Sequence, residues 1–161
     1  MATVYLSLGT NIGNKEKQMN EAIERIETQI GDVVSRSTFY VTEPWGFESE
    51  NSFLNAAVKI ETELSADEVL KETQNIEREM GRMEKSEEGK YKDRIIDIDI
   101  LMYGTSIIDS PNLTIPHRFM KERRFVLEPL AEIASEVVIP GTDISVSKAL
   151  NLLIHKAKSD Q

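Results

Sequence analysis

The chain has no cysteine, which excludes disulfides, thiolate metal sites and cysteine nucleophiles together. Positive charge is also scarce: 28 acidic residues face 19 basic ones, a net charge of −9. A broad nucleic-acid surface needs the opposite balance. A small anionic ligand therefore requires a locally basic site or bridging metal ions. No apolar run approaches membrane-spanning length, and the opening MATVYLSLGTN turns polar too soon for a signal peptide. Internal repeats, low-complexity tracts and an interdomain linker are missing as well. The expectation these absences leave is a cytoplasmic protein of one domain over 1–161. Its 40% hydrophobic and 29% charged residues suit one sizeable core.

TVYLSLG (3–9) reads as a strand, β-branched and aromatic, ended by the Gly- and Asn-rich turn GTNIGN. That turn lacks the Lys-Ser/Thr ending of a P-loop and reads as a tight turn only. From Asn14 to Gly31 apolar residues recur at Met19, Ala22, Ile23, Ile26 and Ile30, one helix face, with Asn14 as N-cap and Gly31 as stop. DVVSRSTFYVT (32–42) and SFLNAAVKIET (52–62) are the next strands, joined by a long Pro- and Gly-containing loop, EPWGFESEN. Ser65 and Glu68 form a capping box opening a helix to about Met80. RMEKSEEGKYKD (82–93) reads as a polar loop before the strand RIIDIDILMY (94–103), which turns at Gly104-Thr105 into a short return strand, SIID. Short helices and turns follow, then a last helix over 147–156. Strand, helix, strand, strand, helix, strand is the split βαβ pattern of an α+β, ferredoxin-like βαββαβ core, here with a C-terminal helical extension.

Within RIIDIDILMY, Asp97 and Asp99 share one strand face, with Ile96, Ile98 and Ile100 on the other. At an effective dielectric of about 20, carboxylates ~6 Å apart repel by roughly 2.8 kcal/mol. Water, basic neighbours or cations must offset that. Carboxylates at this spacing chelate one divalent ion or bridge two, the two-metal arrangement of phosphoryl transfer. The alternative is a solvated strand face. Nearby cations favour the first reading: Arg82, Lys85, Lys90, Lys92 and Arg94 before the pair, His117, Arg123 and Arg124 after it. Metals and arginines around one point suit a polyphosphate. Glu84, Glu87, Glu88 and Asp93 dilute the preceding loop, so it is not a basic patch.

With RIIDIDIL and PHRFMKERRFVLEPL (116–130) on the page, together with VYLSLGTNIGN, TEPWG, FLNAAV and QNIEREMGR, the chain resembles 6-hydroxymethyl-7,8-dihydropterin pyrophosphokinase, an enzyme of folate biosynthesis. The resemblance implies a ferredoxin-like core with a two-Mg²⁺ site. It implies transfer of the β,γ-diphosphate of ATP, the co-substrate, to the pterin hydroxymethyl oxygen, releasing AMP. By position, Asp97 and Asp99 would hold both Mg²⁺ ions, and Arg82 and Arg94 would meet the transferring phosphates, completing the catalytic set. Gln74, Glu77, Ile100, Thr114, His117 and Arg123 would line the ATP side. Thr42, Glu43, Pro44, Trp45, Phe53, Asn55 and Phe125 would form the pterin pocket. The implied partners are the two small molecules, with no nucleic acid or membrane, and a monomer is expected.

Elementary chemistry is compatible with these roles. A flat heterocycle rich in donors and acceptors wants aromatic rings and an amide. Core packing is the rival reading for Phe53 and Phe125, a solvated helix face for Gln74 and Glu77, and a loop histidine for His117. Trp45, in a Pro/Gly loop, suits a lid. The chain departs from the family's pattern at Glu84, where many members carry a second arginine. It departs again at Tyr91-Lys92-Asp93, in place of Trp-Gly-Pro, and at Arg118, in place of an aromatic residue. A nucleotide or metal sensor would bind Mg-ATP without forming AMP, and a purely structural domain would not bind it.

Overall fold

The computed structural model describes residues 1–42, 52–81 and 95–159. The expected loops 43–51 and 82–93 lie outside those residues, as does Arg94. The chain order is β1 (Ala2–Thr10), α1 (Lys15–Gln29), β2 (Asp32–Arg36), β3 (Tyr40–Thr42), β4 (Phe53–Thr62), α2 (Ala66–Gly81) and β5 (Asp97–Tyr103). Then come β6 (Ile108–Asp109), β7 (Thr114–Ile115), a 3-10 turn (Met120–Glu122), α3 (Arg124–Ala134) and α4 (Val146–Ser159). The main sheet has the order β2-β4-β1-β5, β3 pairing with β4 beyond the end of β2, and every pairing is antiparallel. This is the expected ferredoxin-like core with helices appended at the C-terminus.

Local chemistry sets the element ends. The Asn14 side chain accepts the Lys17 N–H at 3.1 Å and starts α1. Gly31 ends it through space rather than backbone freedom, because a Cβ there would meet the Glu61 carbonyl oxygen at 2.3 Å. The capping box forms in both directions, Ser65 N–H to Glu68 Oε1 at 2.9 Å and Glu68 N–H to Ser65 Oγ at 3.2 Å. Those bonds from Ser65, backbone first, hold the Glu68 carboxyl below its ordinary value.

Both faces of the sheet are packed, giving two cores. Leu6, Leu8, Val58, Ile60, Ile96, Ile98 and Ile100 point to one side and bury against Met19 and Ile26 of α1 and Ile76 of α2. Tyr5, Ala57, Leu101 and Met102 point to the other and bury against Leu127 and Leu130 of α3 and Val146 and Ala149 of α4. Opposite Tyr5 and Leu6 of β1 the register of β5 slips, leaving Leu101 without a partner in β1. That bulge lets two successive residues, Leu101 and Met102, join the second core.

Three expectations are corrected. The strand expected over 32–42 is two strands, because Ser37 is buried and its Oγ accepts the Ala57 N–H at 2.9 Å, a side chain replacing a ladder carbonyl. The return strand SIID does not fold back on β5. Gly104 turns at φ +53°, its N–H bonded to the Thr3 carbonyl, and β6 pairs instead with β7. The stretch expected to hold short helices and turns contains α3, an 11-residue helix that accommodates Pro129.

Candidate active site

Residues directly opposite one another in a sheet share a face. The register therefore places Asp97, Gly9, Asn55 and Tyr40 in one row across β5, β1, β4 and β3. The adjacent row holds Asp99, Ser7 and Ala57. This is the face that α3 and α4 cover farther along, at Tyr5 and Met102. Here Asp97 and Asp99 are exposed, while Ile96, Ile98 and Ile100 face the first core, as the alternation predicts. β5 keeps this orientation from its start, where the Thr10 hydroxyl donates to the Ile95 carbonyl.

At the other end of the row Asn55 is 4% exposed, and its Nδ2 donates to Thr42 Oγ1 at 2.8 Å. Phe53 lies opposite Thr42 and is exposed, an unfavourable position for a ring with no ligand. Gly9 lies between the amide and the carboxylates. A Cβ there would stand 3.0 Å from Asn55 Oδ1, so glycine leaves a flat strip of backbone between the two.

A cleft of about 660 Å³ adjoins the carboxylate end. Ile100, Thr114 and His117 line it with Leu70, Leu113 and Phe119, and it reaches Asp99. Gln74, Glu77 and Arg123 are not among its lining residues. Glu77 instead accepts the Ile98 N–H at 2.8 Å, bracing the edge of β5 between the two aspartates. Gln74 is exposed one turn earlier on α2.

His117 is tied to β5 by its N–H on the Leu101 carbonyl, 2.9 Å, and its Nδ1 accepts the Phe119 N–H at 3.2 Å. That bond leaves the neutral ring's proton on Nε2. Burial and then the Arg123 charge push the imidazole below its ordinary value, outweighing the upward pull of Asp99. The Arg123 guanidinium stands over two rings, 5.2 Å from the centre of Phe119 and 5.9 Å from that of Phe125. Arg118, where the resemblance expects an aromatic residue, lies 6.0 Å from the Phe119 ring. Phe119, one residue later, lines the cleft.

Asp97, Asp99, Ile100, Thr114, His117, Arg123, Thr42, Phe53 and Asn55 thus sit on or beside one open stretch of sheet, with Phe125 at the start of α3. Glu43, Pro44, Trp45, Arg82 and Arg94 lie outside the described residues. Gly9 and Phe119 were not singled out by sequence reasoning. A glycine ending a strand beside FLNAAV was the signal available for the first, and an aromatic residue two past His117 for the second. Among the described residues no three His, Cys, Asp or Glu gather as metal ligands. Two hard carboxylates fit Mg²⁺ all the same, which takes one or two from the protein and fills its octahedron with phosphate oxygens and water.

Residues 5–135 match the family of 7,8-dihydro-6-hydroxymethylpterin-pyrophosphokinase (HPPK). The chain belongs to this family. It is 48% identical over 135 residues to the 2-amino-4-hydroxy-6-hydroxymethyldihydropteridine pyrophosphokinase of Porphyromonas gingivalis, covering 83% of this chain and 92% of that one. To the Haemophilus influenzae protein of the same name it is 40% identical over 158 residues, covering 97% and 96%. Among solved structures, Plasmodium falciparum HPPK-DHPS, crystallised with pterin and p-hydroxybenzoate, superposes with a TM-score of 0.77 at 16% identity. That likeness covers 99% of this chain and 44% of the longer one, and it supports the fold. The family match ends near the end of α3, so every site residue named above falls inside it and α4 falls outside.

Proposed function

We propose that the open row is where two substrates of a diphosphoryl transfer meet. The reaction follows from family membership: ATP-dependent transfer of a diphosphate to hydroxymethyldihydropterin, a step of folate biosynthesis. The observation that carries the placement is the row itself, with carboxylates at one end, a buried amide at the other and bare glycine between.

On this reading ATP occupies the cleft. Ile100 contacts the base or sugar, and Thr114 and His117 donate toward its polar atoms, with Gln74, Glu77 and Arg123 flanking. Neutral His117 offers its Nε2–H without adding charge beside Asp99. Asn55 and Thr42, already bonded to each other, read the pterin's donors and acceptors, and Phe53 and Phe125 supply rings. Glu43, Pro44 and Trp45 complete that pocket, and Arg82 and Arg94 meet the transferring phosphates. The hydroxymethyl oxygen bonds to the β-phosphorus as the bond from that phosphorus to the α,β-bridging oxygen breaks, and AMP leaves. Asp97 and Asp99 would hold two Mg²⁺ ions, which would supply charge neutralisation on the polyphosphate and lower the pKa of the attacking hydroxyl. Arg123, oriented by its two rings, directs positive charge to the same place. Catalysis here is positioning and electrostatics, with no dedicated base. We read the chain further as one domain over 1–161, acting as a monomer in the cytoplasm; both cores sharing one sheet supports the single domain.

The test is pterin-dependent release of AMP from Mg-ATP by the wild type and by Asp97→Ala and Asp99→Ala. AMP formed by the wild type and lost in both variants supports the placement. ADP in place of AMP, or full activity in either variant, overturns it.

A further inference from the structure

One exposed carboxylate outside the site collects more donors than a surface glutamate ordinarily does. Glu132, near the C-terminal end of α3, accepts the Thr38 N–H at 3.0 Å on Oε2, the Thr38 hydroxyl at 2.9 Å on Oε1 and the Tyr40 hydroxyl at 2.7 Å on Oε1. Desolvation raises its pKa, but those bonds from Tyr40 and Thr38 prevail and lower it; Tyr40 is raised in turn, chiefly by the same bond. All three donors belong to the segment that leads into β3, and Tyr40 stands in the open row opposite Asn55.

The other end of α3 is held near β5. His117 bonds the Leu101 carbonyl, the Met120 N–H bonds the His117 carbonyl and the Arg123 N–H bonds the Met120 carbonyl, which leads from β5 to the residue that precedes the helix. From Arg123 to Glu132 is nine residues, about 13–14 Å of helix at ~1.5 Å per residue. From β5 across β1 and β4 to β3 is three spacings, about 14 Å at ~4.8 Å each. α3 packs against β4, β1 and β3, tied to the start of β3 at Glu132 and led into from β5 at Arg123. Phe125 precedes Glu132 by seven residues, two turns, so both lie on one helix face. Glu132 turns that face toward Tyr40, two residues before Thr42, whose Oγ1 accepts the Asn55 Nδ2–H at 2.8 Å.

We infer that Glu132 is a positioning residue for the pterin side of the site, tying the start of β3 to α3 so that Thr42 is held against Asn55. This rests on the placement of the pterin proposed above. The ATP side is held by the other anchor and does not depend on it.

The experiment is steady-state kinetics with each substrate varied, on Glu132→Ala, Glu132→Gln, Tyr40→Phe and Asn55→Ala, below the thermal midpoint of each. Losing three hydrogen bonds to a charged acceptor at an exposed site predicts a rise in pterin KM of about tenfold in Glu132→Ala, with kcat and ATP KM within about twofold. Glu132→Gln keeps Oε1 and should recover most of the loss, and Tyr40→Phe, losing one bond, should show about threefold. If Glu132→Ala does not fold, those two milder variants carry the test. Pterin KM unchanged in a folded Glu132→Ala while it rises in Asn55→Ala overturns the inference alone, and so does an equal rise in both KM values. No change in either variant overturns the pterin placement and the inference with it.

Discussion

One face of one sheet does two different jobs along the same strands. At Tyr5, Ala57, Leu101 and Met102 it is roofed by α3 and α4 and buried. A few residues along β1 and β5, at Gly9, Asp97 and Asp99, the roof stops and the face is open. The strands and the sheet's other face run through both regions, with the bulge at Leu101 between them, since Ile98 and Ile100 stay in the first core beneath the open part. What differs is whether a helix covers the residues. The covered part is apolar and supplies stability, and the uncovered part carries charge and the amide. The site is a core position from which the helix has been withheld.

That contrast breaks most sharply at the aspartates. Asp99→Asn should lower kcat/KM by about 10³-fold, in line with removing one preorganised charged group from a phosphoryl-transfer site, while the thermal midpoint holds or rises because a like-charge pair is gone. A fall in both would make the pair structural. The covered end predicts the reverse. Leu127 is fully buried between α3 and the sheet, and Leu127→Ala should cost about 2–5 kcal/mol in chemical denaturation, with kcat/KM per folded molecule little changed.

Gly9→Ala tests the boundary itself. Its Cβ, 3.0 Å from Asn55 Oδ1, should raise pterin KM by about tenfold through one lost, well-placed hydrogen bond and lost space, leaving stability and ATP KM near wild type. An unchanged pterin KM would show that nothing lies over the strip.

The smallest effect is expected far from the row. The folded Glu68 carboxyl is more acidic than the unfolded one. Its contribution is therefore complete above the ordinary value of 4.5 and is lost as pH falls through the folded value. The difference in thermal midpoint between wild type and Glu68→Ala should be small at neutral pH and vanish in acid; a difference that grows in acid would reverse the sign of that linkage.

The carboxylate end of the open row was legible before any fold was known, because a charged pair in an apolar strand breaks the local pattern. So were β1, α1 and α2, whose capping and periodicity lie within a few residues of one another. The break at Ser37 was not, since it depends on Ala57, twenty residues away, donating its N–H to a side chain where a carbonyl was expected. Strands β6 and β7, two residues each, are too short to show any alternation. Gly9 looked like the punctuation of a turn, because its meaning comes from Asn55 and Asp97 on the neighbouring strands. Glu132 gave no local signal, its partners being 94 and 92 residues earlier.

Glu77, reaching from α2 to the Ile98 N–H, has one more consequence. Among the described residues β5 pairs only with β1 and is an edge of the sheet. Edge strands invite another chain to add itself, and proteins resist this by occupying edge donors and by placing charge there. Glu77 takes the donor midway between Asp97 and Asp99, and the pair supplies the charge. The residues proposed to hold metal thus also place charge along an exposed edge, where the addition of another strand is disfavoured.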